Sequence, residues 1–194
     1  MSKLMPKATK KQSILDTALV LFVKQGFYGT STAQIAKQAG VATGTLFHHF
    51  QSKDELMNQL FLSIKQDFAK SIFNNQQNSD DLKQDAKHLW YTSIQWAIDN
   101  PLKQAFFQQY SLSAVIPMEI KQHAMNSTLQ LIGDLIRKGQ EAKLLAKHPL
   151  TLMQESCHGQ YLASTRYFLD NPEKWQDINY RQSSFEILWQ SIAA

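Results

Sequence analysis

The sequence predicts an all-α protein, in which an N-terminal three-helix domain joins a larger helical body through a connecting helix. Three observations carry this reading. Glycine and proline number only seven and five in 194 residues, roughly half of ordinary usage. Valine occurs only at Val20, Val23, Val41 and Val115, so β-branched strand formers are thin. Apolar residues recur at helical spacing in stretches that proline punctuates.

The first helix is expected over 11–25. Ile14, Leu15, Ala18, Leu19, Phe22 and Val23 fall on one helical face. Gly26 is placed to end it in the left-handed conformation, with Phe27 closing the cap by apolar contact. Ser31 or Thr32 N-caps a short second helix that buries Ile35, Ala36 and Ala39. Gly40 follows where a tight turn between helices needs a positive φ, and Val41 fills the angle. Ala42 or Thr43 opens a third helix with Leu46 and Phe50 turned inward. Beyond Ser52 long amphipathic helices are expected over 53–74, 81–99, 102–112, 118–139, 150–170 and 173–192. Pro101, Pro117, Pro149 and Pro172 mark most of the breaks. Two domains follow, 8–68 and 69–194.

Charge is concentrated at one end. The first 53 residues carry seven lysines (Lys3, Lys7, Lys10, Lys11, Lys24, Lys37 and Lys53) against the single acid Asp16. The remainder holds thirteen basic and fifteen acidic residues. A basic head on a near-neutral body suits a polyanion partner for the head alone. The apolar stretch Ala18–Val23 is far too short to span a membrane, and 1–11 has lysines without the apolar run of an export signal. One cysteine, Cys157, can form no internal disulfide and has no metal-ligand spacing. These features favour the cytoplasm, with no cofactor and no metal.

The second and third helices form a helix-turn-helix on the spacing Ile35-Ala36, Gly40-Val41 and Leu46. The outward side of the third holds Thr43, Gly44, Thr45, Phe47, His48 and His49. Short polar groups, an absent side chain and flat rings suit a major groove about 12 Å wide. Lys53 opens the next helix, where a cation opposes the helix dipole. A phosphate held by both accounts for it.

The segment from Ile14 to Leu60 resembles the DNA-binding domain of TetR/AcrR-family transcriptional repressors. The motifs are Ile35-Ala36-Lys37-Gln38-Ala39-Gly40-Val41, Gly44-Thr45-Leu46-Phe47-His48-His49-Phe50, and Ser52-Lys53-Asp54-Glu55-Leu56. The resemblance implies a homodimer on palindromic double-stranded DNA, with the 42–49 helix in the groove. It assigns DNA contacts to Thr32, Thr43, Gly44, Thr45, Phe47, His48, His49 and Lys53, and Ser31 and Ala42 border that set. Thr43, Gly44 and Phe47 would face bases. Ser31, Thr32, Thr45, His49 and Lys53 would hold phosphates. The chain departs from the family in two places: Phe47 stands where Tyr is usual, and Ala33 where a longer residue is often found. Base readout is therefore expected to be modest, with reliance on phosphate contacts and DNA shape.

The body resembles the family's ligand-binding domain in length and helical content. Aromatic residues cluster at Trp90, Tyr91, Trp96, Phe106, Phe107 and Tyr110. By resemblance such a cluster lines a cavity for an apolar or aromatic effector, although ordinary core packing has the same pattern. His123, His158 and Tyr161, with Cys157, could add polar contacts. Phe185, Leu188, Trp189 and Ile192 share one face of the last helix, and Gly159 and Ala163 leave room on the helix before it. By resemblance these pair with their mates in a four-helix dimer bundle; intramolecular core is the alternative.

Two other classes have some support in the sequence. Glu155-Ser-Cys-His158 has the Glu-x-x-His spacing of di-iron bundles, and Asp85-Ala-Lys-His88 is a looser copy. That chemistry also needs inward glutamates from two further helices, and Glu119 and Glu141 sit on no clearly apolar face. The second class is an architectural DNA binder that answers to no effector. The expectation is a repressor released by a small apolar ligand, and not an enzyme.

Overall fold

The computed structural model describes residues 9–75, 79–111 and 113–194, and among them every regular element is a helix. The tail lysines Lys3 and Lys7, the domain start at residue 8 and residues 76–78 between the helices expected over 53–74 and 81–99 lie outside the described residues. The helices are α1 (Lys10–Gly29), α2 (Thr32–Gln38), α3 (Thr43–His49), α4 (Lys53–Asn74) and α5 (Leu82–Asp99). They continue with α6 (Pro101–Tyr110), α7 (Met118–Glu141), α8 (Leu150–Asp170), α9 (Pro172–Gln176) and α10 (Ile178–Ile192).

The ends of the helices follow local chemistry. Thr9 caps α1 by accepting from the Gln12 backbone N–H, and Asp81 caps α5 by accepting from those of Lys83 and Gln84. Ser52 accepts from Glu55 N–H at 3.0 Å, and the Glu55 carboxylate reaches back to Gln51 N–H at 2.6 Å. This reciprocal pair starts α4. Pro101 marks the break between α5 and α6, and it is itself the first residue of α6, where its missing N–H costs nothing. The single helix expected over 173–192 is two, α9 and α10. Asp177 separates them because its carboxylate accepts from the Asn179 N–H at 2.9 Å and caps α10.

The chain divides into two compact units. The first comprises residues up to 64 together with 102–121, so α6 packs with the head. Its core holds Ile14, Ala18, Phe22, Ile35, Leu46, Phe50, Leu56, Phe61 and Phe106, all at most 1% exposed. The second comprises 65–101 and 122–194. There α5 packs against α8 and α10, while α9 lies against α8 and α10. α4 contributes its first half to one unit and its second to the other.

α1 departs from expectation at its end. Gly26 has positive φ as predicted (74°), but its ψ of 167° is extended rather than left-handed helical. The chain kinks there and turns on through Phe27 to Gly29. Phe27 is buried against Phe22, with ring centroids 5.7 Å apart. No helix among the described residues is long and apolar enough to cross a membrane.

Candidate functional site

The turn between α2 and α3 is built by hydrogen bonds that only a residue with positive φ allows. Gly40 (φ 67°) donates to Lys37 O, and Val41 donates to Ala36 O at 3.0 Å. This closes α2 in a Schellman motif, and a side chain at Gly40 would cost about 1–2 kcal/mol. Of the two N-cap candidates it is Ser31 that caps α2, accepting from Gln34 N–H at 3.1 Å. Ala42 precedes α3 without a side-chain cap, and Thr43 is the first helical residue.

α3 presents one open face. Thr43, Gly44, Phe47 and His48 are exposed and recur at helical spacing. Phe47 leaves 45% of its surface in water. Leu46 and Phe50, both 0% exposed, anchor the opposite side. Thr45 and His49 are half-buried at the edges, and the His49 ring leans on His48 and Phe50. Ser31 and Ala42 are exposed and Thr32 half-buried. The predicted contact set is thus gathered on α3 and the capped start of α2.

Lys53 needs a different account from the one the sequence suggests. Its ammonium donates to the carbonyls of Phe27 and Thr30, each at 3.0 Å, and lies over the Phe27 ring. The cation at the start of α4 therefore closes the end of α1, which is a stabilising role. Tyr110 of α6 donates to Phe22 O at 3.0 Å, bracing the same helix one turn earlier. Sequence reasoning missed Tyr28, which is 87% exposed just before the Ser31 cap. The available signal was its adjacency to Phe27: on a turn, only one of the two rings can face the core.

The residues expected to line a ligand cavity are distributed over both units. Phe106, Phe107 and Tyr110 belong to the head unit, where Phe107 stacks on Phe61 and Phe106 packs on Tyr110. His123 is exposed on α7, and Trp90 is tied to α10 by a 3.1 Å bond from its indole to Ser184 Oγ. Trp96, His158 and Tyr161 do share a region of the second unit. Phe68 of α4 packs edge-on against Trp96 at 4.9 Å and against Tyr161 at 5.7 Å. Lys65, one turn before Phe68, is buried in the same region and was not foreseen.

The residues expected at the dimer interface divide between buried and exposed positions. Phe185, Leu188, Trp189 and Ile192 are 0%, 8%, 9% and 7% exposed, buried by their own chain. Periodicity showed that this face of α10 is covered, but could not show by what. Gly159 and Ala163 do remain exposed on α8. In the Glu-x-x-His pair, Glu155 is exposed and His158 half-buried. Among the described residues no group of three or more His, Cys, Asp or Glu could hold a metal.

A capped helix, a glycine turn and a second short helix with an open polar-aromatic face define a helix-turn-helix protein. The sequence profile described as "Bacterial regulatory proteins, tetR family" matches residues 14–60. A crystal structure described as a tetR family transcription regulator from Shewanella sp. PV-4 is 56% identical, with TM-score 0.92 over 96% of this chain and 100% of that one. The nucleoid occlusion factor SlmA of Haemophilus ducreyi is 26% identical over 185 residues, 88% of this chain and 90% of its own. At the level of fold alone, Bacillus subtilis FadR, solved in complex with stearoyl-CoA, superposes with TM-score 0.75 at 18% identity. That match covers 91% of this chain and 96% of FadR. The chain belongs to the TetR family of bacterial transcription regulators.

Proposed function

We propose that this regulator is a ligand-released repressor that binds a palindromic operator as a homodimer. The open face of α3, with Phe47 exposed and Leu46 and Phe50 locked beneath it, carries the reading. Thr43, Gly44 and Phe47 face bases. Ser31, Thr32, Thr45 and His49 hold phosphates, and Tyr28 beside the cap joins them. Lys53 positions the helix-turn-helix by closing α1, and its remaining donor can meet a phosphate.

One short recognition helix reads few base pairs, so two heads on half-sites about 34–36 Å apart are required. The pairing surface is assigned to the outer faces of α8 and α10. There Leu152 and Ile187 are 61% and 66% exposed beside Gly159 and Ala163. The body holds a small effector, a role supported by the fold it shares with FadR, which was solved with an acyl-CoA. The ligand releases DNA only to the extent that it binds the non-binding arrangement of heads more tightly.

Selection of the protein against a random duplex pool at moderate salt tests this. An enriched palindrome is the expected result. Retention without enrichment would instead favour an architectural binder, and no retention by ligand-stripped protein would end the DNA-binding reading.

A further inference from the structure

Nothing inside the chain requires Gly44 to be a glycine. Gly26 and Gly40 take positive φ, a conformation that favours glycine, whereas Gly44 lies within α3 without it. A Cβ at Gly44 would meet no atom within 4 Å, so packing does not exclude a side chain there. Glycine within a helix is unfavourable relative to alanine. The missing side chain leaves a notch on the exposed side of α3 that serves only something outside the chain.

Phe47 stands one turn on from Gly44, on the same face, with 45% of its surface in water. Leu46 and Phe50, both 0% exposed, hold that stretch of the chain against the core. Thr43, the turn before Phe47, is exposed beside the notch. A phenyl ring has no hydrogen-bonding group, so it can read a base edge only by apolar contact. In the major groove the apolar group on offer is the C5-methyl of thymine. The first 53 residues, which carry this face, hold seven lysines against one acid, a charge that suits close approach to a polyanion.

We propose that the Gly44 notch and the Phe47 ring together receive the C5-methyl group of a thymine, which makes these two residues a determinant of sequence choice. The inference rests on the reading of α3 as the base-facing helix, and it adds the group that is read. The methyl enters the space that a Cβ would take at Gly44 and lies against the phenyl ring. One such contact from each head places a thymine at the same position of both half-sites.

The test uses the full chain and the palindrome it enriches from a random duplex pool. Each thymine of that duplex is replaced in turn by deoxyuridine, which lacks only the methyl, and affinity is measured by competition. One thymine in each half-site should be sensitive, with affinity falling about fourfold for each methyl removed. Phe47→Ala should bind the thymine and deoxyuridine duplexes equally, and low salt keeps such weakened variants within range. Gly44→Ala should lose affinity for the palindrome and its thymine preference, while its unfolding midpoint stays equal or rises. Equal binding of the fully deoxyuridine-substituted palindrome, a native thymine preference in Phe47→Ala, or undiminished affinity in Gly44→Ala would overturn the proposal. Its failure is separable from that of the repressor reading: an enriched palindrome indifferent to deoxyuridine removes only the methyl contact. A ligand-stripped chain that enriches no duplex removes the base-reading role of α3 and this inference with it.

Discussion

The Lys53 ammonium stands 3.0 Å from the backbone carbonyl of Phe27 and 4.2 Å from the centre of that residue's ring. One cation is thus held by the carbonyl and the aromatic face of a residue 26 positions earlier, and by Thr30 O as well. Charge-assisted bonds of this kind contribute about 1.5–3 kcal/mol, and an exposed cation–π contact about 0.5–1 kcal/mol. Lys53→Ala is therefore expected to lower unfolding stability by about 1–3 kcal/mol in denaturant titration. It should also weaken binding to all DNA sequences alike. If the remaining donor meets a phosphate, the salt slope falls by about one. Unchanged stability would sink the structural role.

Changes on the open face of α3 should behave in the opposite way. Thr43 and Phe47 are exposed, so replacing either by alanine should leave stability within about 0.5 kcal/mol. Thr43→Ala should cost about 1–3 kcal/mol of discrimination at one or two base positions. Competition binding with specific and random duplexes measures this, and an equal loss on both would refute base reading.

The head was legible in the sequence because its signals are local. Gly40, the Ser31 cap and the Leu46–Phe50 pair each act within a few residues of themselves, and the structure places them as read. The body was legible only as helices. Resemblance places Phe106 and Tyr110 in a cavity wall; in the head unit they pack on one another, and Tyr110 bonds to Phe22 across 88 positions. Asp177 split one predicted helix because a single carboxylate found the Asn179 N–H. Nothing local in the sequence sets Lys65 apart from a solvated lysine on an amphipathic helix. Burial of a charged side chain depends on what arrives from elsewhere in the chain.

The two faces of α10 give a paired test of dimerisation. Phe185 is fully buried within the chain, and Phe185→Ala should destabilise the fold by about 3–5 kcal/mol. Ile187 is 66% exposed on the other face. Ile187→Asp should leave the helical content of the chain intact while converting a dimer to a monomer in sedimentation. It should abolish palindrome binding with it. A variant that stays dimeric would move the interface away from this face of α10.

Lys65 makes stability depend on pH in a direction that can be fixed beforehand. Its ammonium falls from the ordinary 10.5 to about 7 on folding because it is desolvated. Between those values the unfolded chain holds a proton that the folded chain has lost, so stability rises with pH across that window. Below about pH 7 the full cost of burying the charge is present, and above about pH 10.5 it is gone. His158, lowered first by burial and then by Lys65 and raised by Glu155, adds a smaller rise that ends near pH 6.5. Asp67 lies two residues on along α4, and Glu155, Cys157 and Tyr161 are titratable groups near His158 on α8. Lys65→Met removes the buried charge and releases His158 from its neighbour's repulsion. The variant should therefore be more stable than the native chain by several kcal/mol at about pH 6, and by much less at about pH 9.5. Denaturant midpoints at the two pH values measure this. A gain of the same size at both would show that methionine merely packs better and that the ammonium is not strained by burial.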